Sequence, residues 1–114
     1  MKMMKGGIMF DQRDIVLLPF PYSDLAGAKM RPALIISNEI LNKTQDRICC
    51  LITTHNQERG VLLDSFEEGK LPFKSWLKPH RLFTVNEKII KKKLCKITNK
   101  FHEKIIESLN NYIK

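Results

Sequence analysis

Residues 14–20, Asp14-Ile15-Val16-Leu17-Leu18-Pro19-Phe20, hold four consecutive aliphatic side chains between a carboxylate and a proline. A run this short and this apolar reads as a strand buried on both faces: a half-exposed strand would alternate, and a buried helix would need about ten positions or more. Pro19 has no N–H to give to a ladder, so it marks the strand's end at a bulge or an edge. Working outward, residues 22–30 are small and polar and read as a loop. Residues 32–37 (Pro-Ala-Leu-Ile-Ile-Ser) restart the sheet, and residues 47–54 follow a polar connector as a third strand. Further short candidates lie at residues 60–64, 73–77 and 81–85. Many short strands with polar turns predict a mainly β fold, a small barrel or strongly coiled sheet.

The end of the chain changes period. From Asn99, the residues Phe101, Ile105, Leu109 and Ile113 recur every four positions, and Ile106 and Tyr112 widen the stripe. That is a helix, with Thr98 or Asn99 as its cap. It is expected to close one side of the barrel rather than to lie on a membrane or a partner, because a chain of 114 residues needs its apolar area for its own core.

With 43% hydrophobic and 28% charged residues, the composition is that of one folded domain, without repeats or linkers. Cys49, Cys50 and Cys95 are an odd set with no Cys-x-x-Cys spacing, so neither a disulfide framework nor a zinc site is expected. Cys49 and Cys50, as strand neighbours, point to opposite faces. Residues 1–10 lack the apolar run of a signal peptide, and the longest apolar stretch, residues 15–22, is too short to span a bilayer. A cytoplasmic protein with reduced thiols and no membrane partner is the expectation.

The net charge of +8 is unevenly placed. Residues 1–69 carry eight Lys/Arg against nine Asp/Glu, whereas residues 70–104 carry eleven against two. Such a field attracts a polyanion such as nucleic acid; the plain alternative is a solvated lysine-rich face.

Two places suggest chemistry. Arg31 sits where the polar loop meets the second strand, and Thr53 with Thr54 ends the third. If those strands are neighbours, a planar fork of donors and two hydroxyls converge on one rim, which suits a phosphate. The alternative has Arg31 paired with Asp24 or Asp14 and the threonines as ordinary strand ends. Trp76 and His80 are interleaved with Lys74, Lys78 and Arg81, the composition of a single-strand-binding surface, although Trp76 equally fits a core position. His55, His80 and His102 have no ligand spacing, and no Walker loop, nucleophile elbow or dinucleotide fingerprint is present.

Four strings in order, Asp14-Ile-Val-Leu-Leu-Pro-Phe-Pro-Tyr-Ser-Asp, Lys29-Met-Arg-Pro-Ala-Leu-Ile-Ile-Ser, Leu51-Ile-Thr-Thr and Ser75-Trp-Leu-Lys-Pro-His-Arg-Leu-Phe-Thr-Val, resemble the MazF/PemK family of toxin endoribonucleases. The likeness covers about residues 8–114 as a single domain, leaving residues 1–7 as an extension expected to be mobile. It implies an SH3-like β-barrel of the MazF/PemK, CcdB-like kind with appended helices. It also implies a homodimer that cleaves single-stranded RNA, typically messenger RNA, without metal or cofactor, held off by a cognate antitoxin whose flexible segment fills the RNA groove. The family's key Arg and Thr fall on Arg31 and Thr53 as the catalytic pair. Lys29, Thr54 and His55 around them join Trp76, Lys78 and Arg81 as the candidate RNA-binding set. The implied reaction is attack of the 2′-hydroxyl on phosphorus, leaving a 2′,3′-cyclic phosphate and a 5′-hydroxyl.

Two departures stand out. Ala26 occupies a position where some members carry a Glu, so a base role passes to another group such as Asp24, and Arg13 replaces the usual Gly before the first strand. A toxin of the same fold that binds a protein such as a topoisomerase without catalysis is the alternative, and a passive RNA-binding module a third reading.

Overall fold

The structure, a computed structural model, describes residues 8–20, 29–55 and 60–114. The expectations for residues 1–7, for Asp24 and Ala26, and for most of the loop at 22–30 lie outside the described residues. Seven antiparallel strands form one sheet: β1 (Asp14–Pro19), β2 (Met30–Ile35), β3 (Asp46–Thr53), β4 (Val61–Leu62), β5 (Phe66–Glu68), β6 (Trp76–Asn86) and β7 (Lys92–Ile97). Their spatial order is β4-β6-β3-β2-β1-β7-β5.

That order forces the sheet to curl. β4 and β5 are its two outer strands, yet only residues 63–65 separate them in the chain. Laid flat, seven strands would hold the edges about 29 Å apart, whereas so short a link reaches about 14 Å. The sheet is therefore wrapped into a half-barrel, as the short-strand pattern predicts. Leu63 N–H donates to Ser75 O at 2.9 Å and Thr98 N–H to Ser65 O at 3.1 Å, tying the link to both sides.

Both faces of the central strands are buried, which is why their sequences do not alternate. On one face Ile15, Leu34, Cys50, Ile52, Leu77, Cys95 and Ile97 pack with Phe101 and Ile105 of the C-terminal helix α2 (Asn99–Ile113). On the other, Val16, Leu18, Ala33, Ile35, Cys49, Phe83, Val85 and Ile90 form a second cluster. Cys49 and Cys50 fall on opposite faces as expected. Helix α2 is capped by Thr98, whose hydroxyl accepts from Phe101 N–H at 3.1 Å. Its stripe is only partly used: Phe101 and Ile105 are buried, whereas Tyr112 and Ile113 are exposed.

Three sequence expectations are corrected. Residues 73–77 and 81–85 are not two strands; β6 is one strand that begins at Trp76 and pairs with β3 throughout. Cys50 faces Leu82 while Leu51 faces Lys78, so Pro79, His80 and Arg81 are left without partners as a three-residue bulge. Cys50 Sγ donates to Lys78 O at 2.9 Å at the root of that bulge. The polar connector contains a one-turn helix, α1 (Glu39–Asn42), capped by Asn38. The lysine-rich segment supplies β7, because Lys93 and Lys96 neutralise Asp14, which is 2% exposed. Lys96 Nζ lies 2.9 Å from Asp14 Oδ1 as a charge contact, while Asp14 Oδ2 accepts from Asp11 N–H at 2.9 Å.

Arg13, at the position where a glycine is usual in the resemblance, has φ of 79°. The left-handed turn that explains the glycine is thus kept by a side-chain-bearing residue. Its guanidinium donates to Glu67 and to Ile97 O, both at 2.9 Å, offsetting the backbone strain.

Candidate active site

The β2–β3 ladder pairs Ala33 with Leu51 and ends there. Continued two residues further, the same register sets Arg31 opposite Thr53, where the two strands splay apart. The gap between them is an open cleft of about 340 Å³ lined by Lys29, Met30, Arg31, Pro32, Ile52, Thr53, Thr54 and His55. The convergence expected of Arg31 and Thr53 is therefore found, and Lys29, Thr54 and His55 share the cleft with them.

Among the described residues Arg31 has an aromatic neighbour and no counter-ion. Its guanidinium lies 5.6 Å from the centroid of the Phe20 ring, and Phe20 meets Phe83 edge-on at 5.8 Å. An aromatic support fixes the fork by cation–π attraction while leaving its N–H groups to a ligand. Among the described residues no carboxylate pairs with Arg31. Asp14, one of the two partners considered from sequence, is engaged by Lys93 and Lys96 instead. Phe20 is a site residue the sequence reading missed; its place directly after Pro19, across from the loop's far end, was the available signal. Phe20 N–H donates to Lys29 O at 3.1 Å, drawing the two loop ends together beneath Arg31.

Thr53 is oriented by a local turn, its Oγ1 accepting from His55 N–H at 3.1 Å. That bond uses an oxygen lone pair and leaves the O–H to donate. The same turn brings the exposed His55 ring to the cleft.

Direct cross-strand partners share a face of the sheet, so the registers define a row. Leu18 faces Arg31, Arg31 lines up with Thr53, Thr53 faces Trp76, and Trp76 faces Leu62. Trp76 is half-buried beside Thr53 rather than in the core, and Lys74 Nζ stands 5.9 Å from its ring centroid. Lys78, opposite Leu51 on the same face, is buried rather than solvent-facing. Arg81 is exposed on the bulge and lines a separate hollow of about 260 Å³ with Phe20, Leu51, His80, Leu82 and Phe83. Phe20 in that hollow is the ring that supports Arg31 of the cleft.

Several cations of the basic segment have surroundings of their own. Lys93 and Lys96 are spent on Asp14 and Glu68, Lys88 and Lys91 line a hollow beside Met9 and Phe10, and Lys92 lines an apolar one beside Phe73. Burial pushes the thiols of Cys49 and Cys50 up to about 12 and that of Cys95 to about 11, so none is a nucleophile at neutral pH. His102 is buried in the first turn of α2, where desolvation, aided by Arg13, lowers its pKa and Glu103 opposes the shift. Among the described residues no three His, Cys, Asp or Glu side chains gather into a metal-binding group, and no helix is long and apolar enough to cross a membrane.

The arrangement offers a fixed cationic fork, a hydroxyl donor and an imidazole around one solvent-open gap, a set fit to hold a phosphodiester. A family model described as PemK-like, MazF-like toxin of type II toxin–antitoxin system matches residues 11–113. A mycobacterial endoribonuclease solved in complex with its cognate antitoxin superposes with a TM-score of 0.71 at 18% identity, over 89% of this chain and 91% of the other. MazF from Deinococcus radiodurans gives 0.71 at 18% identity, over 90% and 94%. MazF in a MazE–MazF complex from the same organism gives 0.73 at 17%, over 90% and 94%. At these identities the likeness carries the fold. A search of curated proteins finds no match.

Proposed function

The chain belongs to the PemK-like, MazF-like toxin family of type II toxin–antitoxin systems, and from that premise we propose that it is an endoribonuclease that cuts single-stranded RNA, messenger RNA above all, at the cleft of Arg31 and Thr53. The single observation that carries this reading is that Arg31, Thr53 and His55 line one open gap between splayed strands. The solved relatives, described as endoribonucleases and as partners of a cognate antitoxin, support it.

The chemistry follows from the donors. The ribose 2′-oxygen attacks the adjacent phosphorus, the P–O5′ bond breaks, and the products are a 2′,3′-cyclic phosphate and a 5′-hydroxyl. One proton leaves the 2′-hydroxyl and one arrives on O5′. Charge grows on the non-bridging oxygens of the phosphorane, where the Arg31 fork stabilises it, and the Thr53 O–H orients one of those oxygens. Arg31, as an always-charged group, acts by electrostatics and not as the base. His55 brings an imidazole to the cleft, and it takes the proton-transfer role here. Lys29 and Thr54 hold flanking phosphates. DNA lacks the attacking group and is not cut. The toxin works in the cytoplasm as a homodimer, without metal or cofactor, until a cognate antitoxin lays a flexible segment over the cleft.

The test is incubation of a long natural RNA with the protein in excess chelator, followed by analysis of the new ends. Cyclic phosphate ends are expected, with Thr53→Val slowing their formation about 10-fold or more. Intact RNA, with the protein instead retained on a topoisomerase, would support the non-catalytic alternative.

A further inference from the structure

We propose that Trp76, with Lys74 beside its ring, is a stacking platform for the nucleobase next to the scissile phosphate; the inference rests on the RNA-cleaving reading above. Three observations carry it. First, register: Trp76 is the direct cross-strand partner of Thr53, and Thr53 is in line with Arg31, so guanidinium, hydroxyl and indole form one row on one face. Two strand spacings separate the ends of that row, about 10 Å, a separation an extended nucleotide can bridge.

Second, exposure: Trp76 is only half-buried although it lies at a strand start beside a well-packed core, whose neighbouring position, Leu77, is fully buried. The core is completed by Leu77 and does not need the indole. Third, charge: Lys74 is exposed and its ammonium lies 5.9 Å from the ring centroid. A cation at the edge of an aromatic surface is the pairing that holds a base by its face and the following phosphate by its charge. Cation and ring here are one strand away from the reacting centre, not on a remote surface.

Stacking reads every base by its π-face, so Trp76 contributes affinity and position with only a modest preference for purines. Sequence discrimination falls to other side chains. The indole acts on the cut by holding the sugar that carries the phosphate in line with Arg31 and Thr53, and it is a positioning residue.

Trp76 is the single tryptophan of the chain, so intrinsic emission reports on this residue alone. The experiment titrates the full chain with uncleavable 2′-O-methyl oligoadenylate and oligouridylate, following emission and, separately, anisotropy of a dye on the RNA. Saturable quenching that tracks binding is expected, tighter for oligoadenylate. Trp76→Leu is expected to raise KM for RNA cleavage about 10-fold with a smaller change in kcat, Trp76→Phe to restore most of the loss, and Lys74→Ala to raise KM several-fold. Binding seen by anisotropy without any change in emission overturns the proposal, as does an unchanged KM in Trp76→Leu. Quenching without cleavage would leave the platform standing and remove the catalytic reading. Cleavage with silent emission would do the reverse, and absence of binding removes both.

Discussion

Replacing Arg47 with Met should cost more stability than any single substitution in the candidate active site. Arg47 is 0% exposed at the start of β3. Its Nε donates to Phe10 O at 2.7 Å, its Nη1 to Thr44 O and Asp46 O at 2.8 Å each, and its Nη2 to Glu87 Oε1 at 3.1 Å. One side chain therefore joins the segment before β1, the turn before β3 and the turn after β6. Met keeps the apolar stem and removes every donor. Three carbonyls lose their partner, at about 1 kcal/mol each because water can reach part of that turn. The total is roughly 3 kcal/mol, and in a domain of this size that lowers Tm by about 12 °C. Glu87→Gln keeps an acceptor at a half-buried surface pair and should cost under about 1 kcal/mol. Thermal denaturation followed by circular dichroism measures both. A shift under about 4 °C for Arg47→Met, or equal losses for the two variants, would refute the view that the carbonyls, and not the ion pair, hold Arg47.

Three further outcomes follow from groups outside the cleft. His102 has a lowered folded pKa, so the unfolded chain takes the proton first as pH falls; stability should be full above about pH 6.5 and decline below it, and His102→Leu should flatten that part of a denaturation-against-pH curve. The three thiols, buried and with raised pKa, should react with an aromatic disulfide reagent only after denaturant is added, and prompt labelling of the native chain would contradict their placement. Arg13→Gly should stay within about 1 kcal/mol of wild type in urea denaturation, since relief of the left-handed backbone offsets the lost Glu67 pair, whereas Arg13→Val should be worse by about 2 kcal/mol.

The parts legible in the sequence are those decided by local pattern. The apolar runs at Ile15–Leu18 and at residues 33–36 could only be buried strands, and the four-residue spacing from Phe101 with Thr98 before it could only be a capped helix. Arg31 and Thr53 stood out because each is a polar residue closing an apolar run, and the antiparallel register then brought them together. What escaped was decided by distant partners. Lys-Pro-His-Arg at residues 78–81 looks like a strand break, and only pairing of both flanks with β3 shows it to be a bulge. The lysines of β7 look like a solvated tail until Asp14, far away in sequence, takes up Lys93 and Lys96. Arg47 looks like a surface charge at a strand start until three carbonyls are found around it. For the same reason Lys93 and Lys96, committed to a buried carboxylate, are not available to a polyanion.

The most direct test is the single-turnover rate of cyclic phosphate formation, in chelator, for wild type, Arg31→Ala and Arg31→Lys. Arg31 is exposed and, among the described residues, its guanidinium gives up its contact with Phe20, so all three proteins should melt within a few degrees of one another. Arg31→Ala is expected to fall by about 10²–10³, with Arg31→Lys between, since a point charge replaces a fork. A folded Arg31→Ala that cuts RNA at the wild-type rate would contradict the assignment of the cleft as the place where the bond is broken.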